Sequence, residues 1–470
     1  MPRVAIIGAG ITGLITACAL KDAGVEVVVI EAAERAGGPI HTFPHDDLLL
    51  ETGPHTLLVR STPVADTLDR LGLTGDIIDA HDAAETRFVV KDGVVTALPS
   101  SPLSLATTPL LSPLARLRLL LEPFIPRFSE PDIDETLASF VSRRLGREVY
   151  EYFVDPFVSG IWAGDATQLS ARHAFPTLVE FEQEAGSIVA GALLSGLRKF
   201  QSDQENTRSP RRLLSFEGGL RRLVDACVDR LGDDLLLDSP VRKLRRDADD
   251  WRVIYQRGGA RRGESADALV LTLSPRDLYD IEWENIDPPR GALSTLRDLP
   301  YAPCALAHVA YRRADVEHPL DGLGVLIPSC EGFHILGALF ISSMFPNRVP
   351  DDLVQLSVFI GGARKPELAA LDPGEILDLV DHDLSRLLGT RARPVTSRVI
   401  HWDRAIPQYE VGHGVFLDAM TNLEDALPGV FLSGGFRDGI GVPALIEAGL
   451  NRADSLQRHL GLSPSPEKTP

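Results

Sequence analysis

The chain is 470 residues long, 44% hydrophobic and 24% charged, proportions of a globular protein whose interior is divided between two or three domains. Its formal net charge of −19 excludes the basic face that a nucleic-acid backbone demands, and any anionic ligand needs a local basic group to offset that field. Cys18, Cys227, Cys304 and Cys330 match neither disulfide nor metal-ligand spacing. Cys18 and Cys227 read as core residues on apolar helix faces, and a reducing cytoplasm fits them.

The chain opens "MPRVAIIGAGITGLITACALKDAGVEVVVIEAAERAGGPIHT". Val4–Ile7 and Val25–Ile30 read as short buried parallel strands, with a helix over Ile11–Ala23 between them. Val4–Ile7 is too short for the apolar core of a signal peptide. In the G-x-G-x-x-G run, Gly8 permits the tight turn and Gly10 admits a pyrophosphate. Gly13 lets the helix lie close to the sheet. The helix N-terminus offers free N–H groups and a positive dipole end, and Glu31, closing the second strand, is placed to accept from a ribose hydroxyl. Strand, helix, strand and terminal acid in this order predict dinucleotide binding. Gly37 and Gly38 bring backbone against the cofactor again.

From about Ala84 to Asn206 a short strand pair gives way to helices, with proline-rich joints at Pro99–Pro113 and Pro123–Pro126. The stretch Leu213–Leu231 keeps helical spacing at Leu220, Leu223, Val224, Cys227, Val228 and Leu231. "LLLDSPVRKLRR", "DWRVIYQRG" and "ALVLTLSP" read as strands. Strands and the helix "PGEILDLVDHDLSRLLG" mix from Ile281 to Val399. A buried strand, Val430–Leu432, then leads to Gly434, Gly435, Gly439 and Gly441, with a helix starting near Val442. This second glycine site suits a cofactor held by both chain ends. The tail "SPSPEKTP" reads as disordered. No stretch reaches the roughly 20 apolar residues of a membrane span. The twelve histidines show no metal-ligand spacing, so no metal site is expected, and no nucleophile elbow or triad is evident.

The glycine pair after Glu31, followed by "LLLETGPHTLL", resembles the FAD-binding start of the amine oxidase and phytoene desaturase superfamily. "DPFVSGIWAGDATQLSARHAFPTLVEFEQEAGSIVAGAL", "GLGVLIPSCEGFHILGALFISSMFPNRVP" through "SVFIGGARKPEL", and "IHWDRAIPQYEVGH" resemble the oxygen-dependent protoporphyrinogen oxidase family, over roughly Arg3 to Leu460. The resemblance implies an α/β fold: a Rossmann-like FAD-binding domain of the amine oxidase superfamily, a mixed α+β substrate domain and a helical subdomain. The FAD-binding domain is placed at 1–83, 207–280 and 400–462 and the substrate-binding domain at 84–110 and 281–399. The helical subdomain is placed at 111–206 and the disordered tail at 463–470.

By the same resemblance, FAD takes hydride from a porphyrinogen, either protoporphyrinogen IX or coproporphyrinogen III, in haem biosynthesis. O2 is the acceptor, and three cycles remove six electrons. Flavin N5 carries the chemistry, so no catalytic side chain is expected. Cofactor-binding positions are Gly8, Gly10, Ile11, Thr12, Gly13, Glu31, Ala32, Gly37, Gly38, Gly53, Pro54, Val241 beside the adenine, Trp402, Gly434, Gly441 and Val442. Substrate-binding positions are Arg87, matching an arginine that pairs with a propionate, Gly160 beside flavin and substrate, and Leu326, Leu339 and Phe359 lining a flat cavity. On pattern alone Arg87 is a surface arginine with a covered stem, and the two leucines and the phenylalanine are core residues.

The chain departs from amine oxidases in having no lysine between Lys243 and Lys365, where those enzymes place one near flavin N5. "GGPIHT" departs from the porphyrinogen family, where a basic residue commonly stands at His41 and another residue at Pro39. Segment Ser101–Pro126, apolar with Arg116 and Arg118, could rest on a membrane interface or bury itself in the helical part. The expected location is the cytoplasm, with peripheral membrane contact left open. So are the choice of porphyrinogen, the oligomeric state and transfer of product to the next haem-pathway enzyme. Two other readings are an oxidase acting on an amine or polyene, and a non-enzymatic binding protein on the same fold.

Overall fold

The computed structural model describes residues 1–127, 133–202, 211–247, 250–345 and 348–462. The tail 463–470 expected to be disordered lies outside the described residues, as do 203–206 of the expected helical part. Five parallel strands lie side by side in the order Leu235–Leu236, Glu26–Ile30, Arg3–Ile7, Ala268–Leu271 and Val430–Leu432. Their near-continuous Val, Ile and Leu runs follow from burial on both faces. The helices Ile11–Asp22, Arg221–Leu231 and Val442–His459 cover one face. Arg290–Arg297, Gly414–Ala426 and Trp251, Val253 and Tyr255 of a neighbouring four-stranded sheet cover the other.

The stretch 213–231 is not one helix. Arg212–Phe216 is a strand, Gly218 and Gly219 turn the chain at φ +79° and +92°, and the helix runs Arg221–Leu231. "RLLSF" forms a strand because it pairs on both sides, with Leu57–Val59 and with Ile77–Asp79.

A second, seven-stranded sheet has the order Thr396–Pro407, Tyr301–Arg312, Leu353–Gly361, Ile335–Phe340, Gly324–Leu326, Phe88–Lys91 and Val94–Ala97. Alternation along its strands separates two faces. Ala305, Ala307, Val325, Ala338, Val358 and Ile360 are buried with Ile376, Val380 and Leu384 of the helix Pro373–Leu388. Leu306, His308, Ser357, Phe359, Gly337, Leu339 and Leu326 point the other way.

Among the helices of 111–202, Arg144 and Glu122 form an ion pair with both side chains fully buried. Arg144 Nε donates to Glu122 Oε1 at 2.7 Å. Ser187 and the amides of Ile188 and Val189, at the start of the helix Ile188–Ser202, also bind that carboxylate. Removing one partner of such a pair strands a buried charge. Glu122→Ala is therefore expected to lower stability by about 3–5 kcal/mol, read as a fall in the urea midpoint.

Candidate functional site

Gly8 adopts φ +106°, and its N–H donates to the Ile30 carbonyl at 2.9 Å, joining the first two strands. A Cβ on Gly13 would collide with the Gly8 carbonyl oxygen and lie 2.8 Å from Thr272 Oγ1, so this glycine is fixed by packing. Gly10 differs: nothing lies within 4 Å of where its Cβ would stand. Gly10 also precedes the helix of Ile11 and Thr12, which has no side-chain cap and no acid in its first turn. Its free N–H groups and positive end are thus left for an anion. Gly38, at φ +56°, faces it, with a Cβ there 3.9 Å from Gly10 Cα. Gly37 donates to the Ala9 carbonyl at 2.8 Å.

Glu31 Oε2 accepts from the Ala9 amide at 2.6 Å and Oε1 from the Ala33 amide at 2.9 Å, so the carboxylate holds the first glycine loop to its own loop. Ala32 between them is exposed. Ser239 donates to the Glu31 carbonyl at 2.8 Å, which brings Val241 to this end of the sheet. Arg35 Nη1 donates to the Gly38 carbonyl at 2.8 Å. Burial lowers the Arg35 pKa against the pull of Glu31. Burial and the charges of Arg35 and Arg221 lower that of His41, which favours its neutral form.

The second glycine loop is braced by two side chains that sequence reasoning missed. Tyr409 Oη donates to the Gly435 carbonyl at 2.7 Å and accepts from the Gly439 amide at 2.9 Å. Asp438 Oδ2 accepts from Ser433 Oγ at 2.7 Å and from the Gly434 amide at 2.8 Å. Gly441 precedes the helix starting at Val442, again with no side-chain cap and no acid in the first turn. Two bare helix starts, the open position at Gly10 and the facing backbone of Gly38 fit a dinucleotide carrying two phosphates.

The route to the second sheet passes through Pro39. A Cβ on Gly53 would lie 2.7 Å from the Pro39 carbonyl, to which Thr52 Oγ1 donates at 2.8 Å. Trp402 Nε1 donates to the Thr52 carbonyl at 2.7 Å, and Pro54 is half-buried. His55 Nε2 is 2.9 Å from Ser357 Oγ, its ring 5.9 Å from that of Phe359. Burial pushes His55 down to about 3 and His308 to about 4, so both imidazoles are neutral near pH 7.

The open face of the second sheet collects the residues expected to line a substrate. Leu326 and Phe359 both pair with Gly337, from opposite sides, and a Cβ on Gly337 would lie 2.7 Å from the Val325 carbonyl oxygen, so close packing holds this position to glycine. Leu339, two residues on, shares the face. Phe88 pairs with Val325 and Val89 with Leu326, so Arg87 falls on the Leu326 face. Leu326 also lies directly over Gly160 of the helix Asp155–Trp162, where a Cβ would strike it. Arg87, Gly160, Leu326, Leu339 and Phe359 are all half-buried, whereas Val325, Ala338, Val358 and Ile360 are buried.

The glycines separate packing from ligand contact. Gly13→Ala is expected to impair folding. Gly10→Ala should keep the thermal midpoint within about 3 °C of the parent, since it adds a methyl where nothing is crowded. It should nonetheless yield protein depleted in bound flavin, measured by absorbance near 450 nm after gel filtration.

The model of the family described as flavin containing amine oxidoreductase matches residues 11–456. The mitochondrial protoporphyrinogen oxidase of Nicotiana tabacum is 34% identical, over 97% of this chain and 95% of its own. The coproporphyrinogen III oxidase of Staphylococcus aureus (strain NCTC 8325 / PS 47) is 26% identical, over 96% of this chain and 98% of its own. Among solved structures, a putrescine oxidase triple mutant superposes with TM-score 0.70 at 19% identity, over 97% of this chain and 99% of its own.

Proposed function

Because the chain belongs to the family of flavin-containing amine oxidoreductases, we propose that it is an FAD-dependent oxidase that converts a porphyrinogen to the porphyrin with O2 as acceptor, in haem biosynthesis. The observation that carries this reading is the placement of Arg87, Leu326, Leu339 and Phe359 on one half-open sheet face. A flat apolar face with a cation on the same side suits a large ring bearing carboxylates. Relatives named for protoporphyrinogen and for coproporphyrinogen both match the chain end to end.

In this reading the parallel sheet and its glycine loops bind FAD, and the seven-stranded sheet binds the substrate. Gly10 and Gly38, with the N-termini at Ile11 and Val442, hold the phosphates, while Gly8 and Gly13 let the loop and helix pack closely enough to present them. Glu31 keeps accepting capacity for a ribose hydroxyl, and Val241 lies on the adenine side. Trp402, tethered to Thr52, and the brace from Tyr409 to the Gly435 and Gly439 backbone fix the loops on the flavin side. FAD, when bound, supplies the two-electron chemistry that removes hydride from a bridging carbon. The protein's part is orientation: Leu326, Leu339 and Phe359 hold the ring flat, and Arg87 sets its rotation through a charge-assisted hydrogen bond. The neutral His55 and His308 add no competing cation beside Phe359.

Protein reconstituted with FAD is expected to raise porphyrin fluorescence above the spontaneous rate in air when given protoporphyrinogen IX or coproporphyrinogen III, the faster one identifying the substrate. No increase with either would overturn the reading. Arg87→Ala should lower kcat/KM by about 10- to 100-fold, the worth of one hydrogen bond to a charged group.

A membrane contact is supported by a separate observation. Leu114, Leu120 and Phe124 are 78%, 74% and 81% exposed, and Leu117 and Leu121 at least half. The segment is divided: Leu111 is buried in the helical core with Leu105, Ala115 and Leu119 packed against it, while Leu114, Leu117, Leu120, Leu121 and Phe124 face outward. Arg116 and Arg118 donate to the carbonyls of Thr108, Ser142 and Arg143, which ties them to the protein. No helix among the described residues is long and apolar enough to cross a membrane. We propose peripheral, hydrophobic docking through these leucines. Leu117→Glu/Leu120→Glu protein should stay in the bottom fraction when phosphatidylcholine vesicles are floated, where the parent rises; equal flotation would refute the contact.

A further inference from the structure

The sheet face that carries Arg87 has two more arginines at its margin. Val59 pairs with Arg212 across the antiparallel ladder of Leu57–Val59 and Arg212–Phe216, so Arg60 and Arg211, one residue further, stand opposite each other at its end. Arg212 points elsewhere and is bound to Asp79 through two nitrogens, at 2.8 and 2.7 Å. Among the described residues no carboxylate pairs with Arg60, Arg87 or Arg211, whereas buried carboxylates elsewhere hold arginines, as Glu122, Glu182 and Asp155 do.

The three cations are neighbours. After burial, Arg211 and Arg60 are the groups that lower the Arg87 pKa, and Arg211 does the same to Arg60. They are also attached to the substrate face. Leu213 of the Arg211 strand packs with Ala84, Ile341, Met344 and Leu339. The Arg87 carbonyl accepts from Leu98 at 2.7 Å, and the Thr86 carbonyl from Leu323 at 2.8 Å. Arg60 and Arg211 are exposed and Arg87 is half-buried, so water screens part of the repulsion among the three guanidinium groups, and an anion entering between them relieves the rest.

We infer that Arg60, Arg87 and Arg211 form one site for two carboxylates on the same edge of the substrate, Arg60 and Arg211 being further binding residues beside Arg87. This rests on the porphyrinogen reading. Propionates on adjacent pyrrole rings supply two such groups, and planar guanidinium forks can take both oxygens of each. The trio therefore selects an edge with two free acids over one with a single acid or none, and so fixes which side of the macrocycle leads.

The test titrates FAD-loaded enzyme with protoporphyrin IX and with its dimethyl ester, which has the same ring and no charge. The parent should bind the diacid more tightly, and raising the salt should weaken the diacid alone. Arg60→Gln and Arg211→Gln should each weaken the diacid by about 5- to 30-fold and leave the diester within about twofold. Arg60→Lys and Arg211→Lys should restore part of the loss. With the matching porphyrinogen the change should fall on KM rather than kcat. Diacid binding unaltered in both glutamine variants, or equal loss for diacid and diester, would overturn the inference while leaving the porphyrinogen reading in place. Should the variants not fold, a salt response of the parent that is the same for both ligands would overturn it. Binding of neither ligand to the parent would remove both readings together.

Discussion

Gly449, in the helix that ends the described chain, lies so close to the first helix that a Cβ on it would come within 2.9 Å of the Thr12 carbonyl and 3.0 Å of Ile15 Cβ. Thr16 Oγ1 is 2.8 Å from the Thr12 carbonyl and 3.1 Å from that of Gly449, so its hydroxyl bonds across the contact. Much else depends on this approach. The strands preceding both helices belong to one parallel sheet, so both glycine loops leave at its carboxyl edge, where ligands of such sheets bind. Pressing the helices together brings two bare N-termini to a common side, although the sequence separates them by some four hundred residues. A bulkier residue at 449 would part them and divide the site.

From that edge a line of short contacts runs to the second sheet: Gly10 to Gly38, Pro39 to Gly53, Thr52 to Trp402, and His55 to Phe359. Each is a backbone approach or a hydrogen bond to backbone or a neutral ring. None of these contacts is made by a charged side chain; Glu31 and Arg35 stand beside the glycine loops and the arginines at the far margin. A cationic His55 or His308 would disturb this division, and burial prevents it. The arrangement agrees with a protein that orients a redox cofactor against an apolar ring and leaves electron transfer to the cofactor.

The placement of the glycine loops was legible because it is local: Gly8, Gly10, Gly13 and Glu31 lie within one strand–helix–strand unit whose order the spacing shows. The same holds for Gly441 and Val442 at the last helix. Leu326, Leu339 and Phe359 came from family resemblance and not from pattern, because a strand shows its two faces only once its register is known. The pairings of Leu326 and Phe359 with Gly337 exist only in the folded sheet. Arg60 and Arg211 were illegible for the same reason, being joined by a ladder between segments some 150 residues apart. The helical spacing from Leu220 to Leu231 matches the helix Arg221–Leu231, while the strand Arg212–Phe216 before it depends on its two partner strands. Tyr409 and Asp438 carried no local signal, since Tyr409 binds backbone groups of a distant loop and Asp438 binds the Ser433 hydroxyl and the Gly434 amide within a turn.

The two faces of the seven-stranded sheet answer to different pressures. Val325, Ala338, Val358 and Ile360 anchor it to the helix beneath, and exchanging them would disturb the packing on which the sheet relies. Leu326, Leu339 and Phe359 alternate with these residues on the same strands and can change shape or polarity without touching that core. Each strand thus interleaves a conservative register with a mutable one. A lineage could walk from one substrate to another by single substitutions at every second position, keeping a folded, flavin-binding protein at each step.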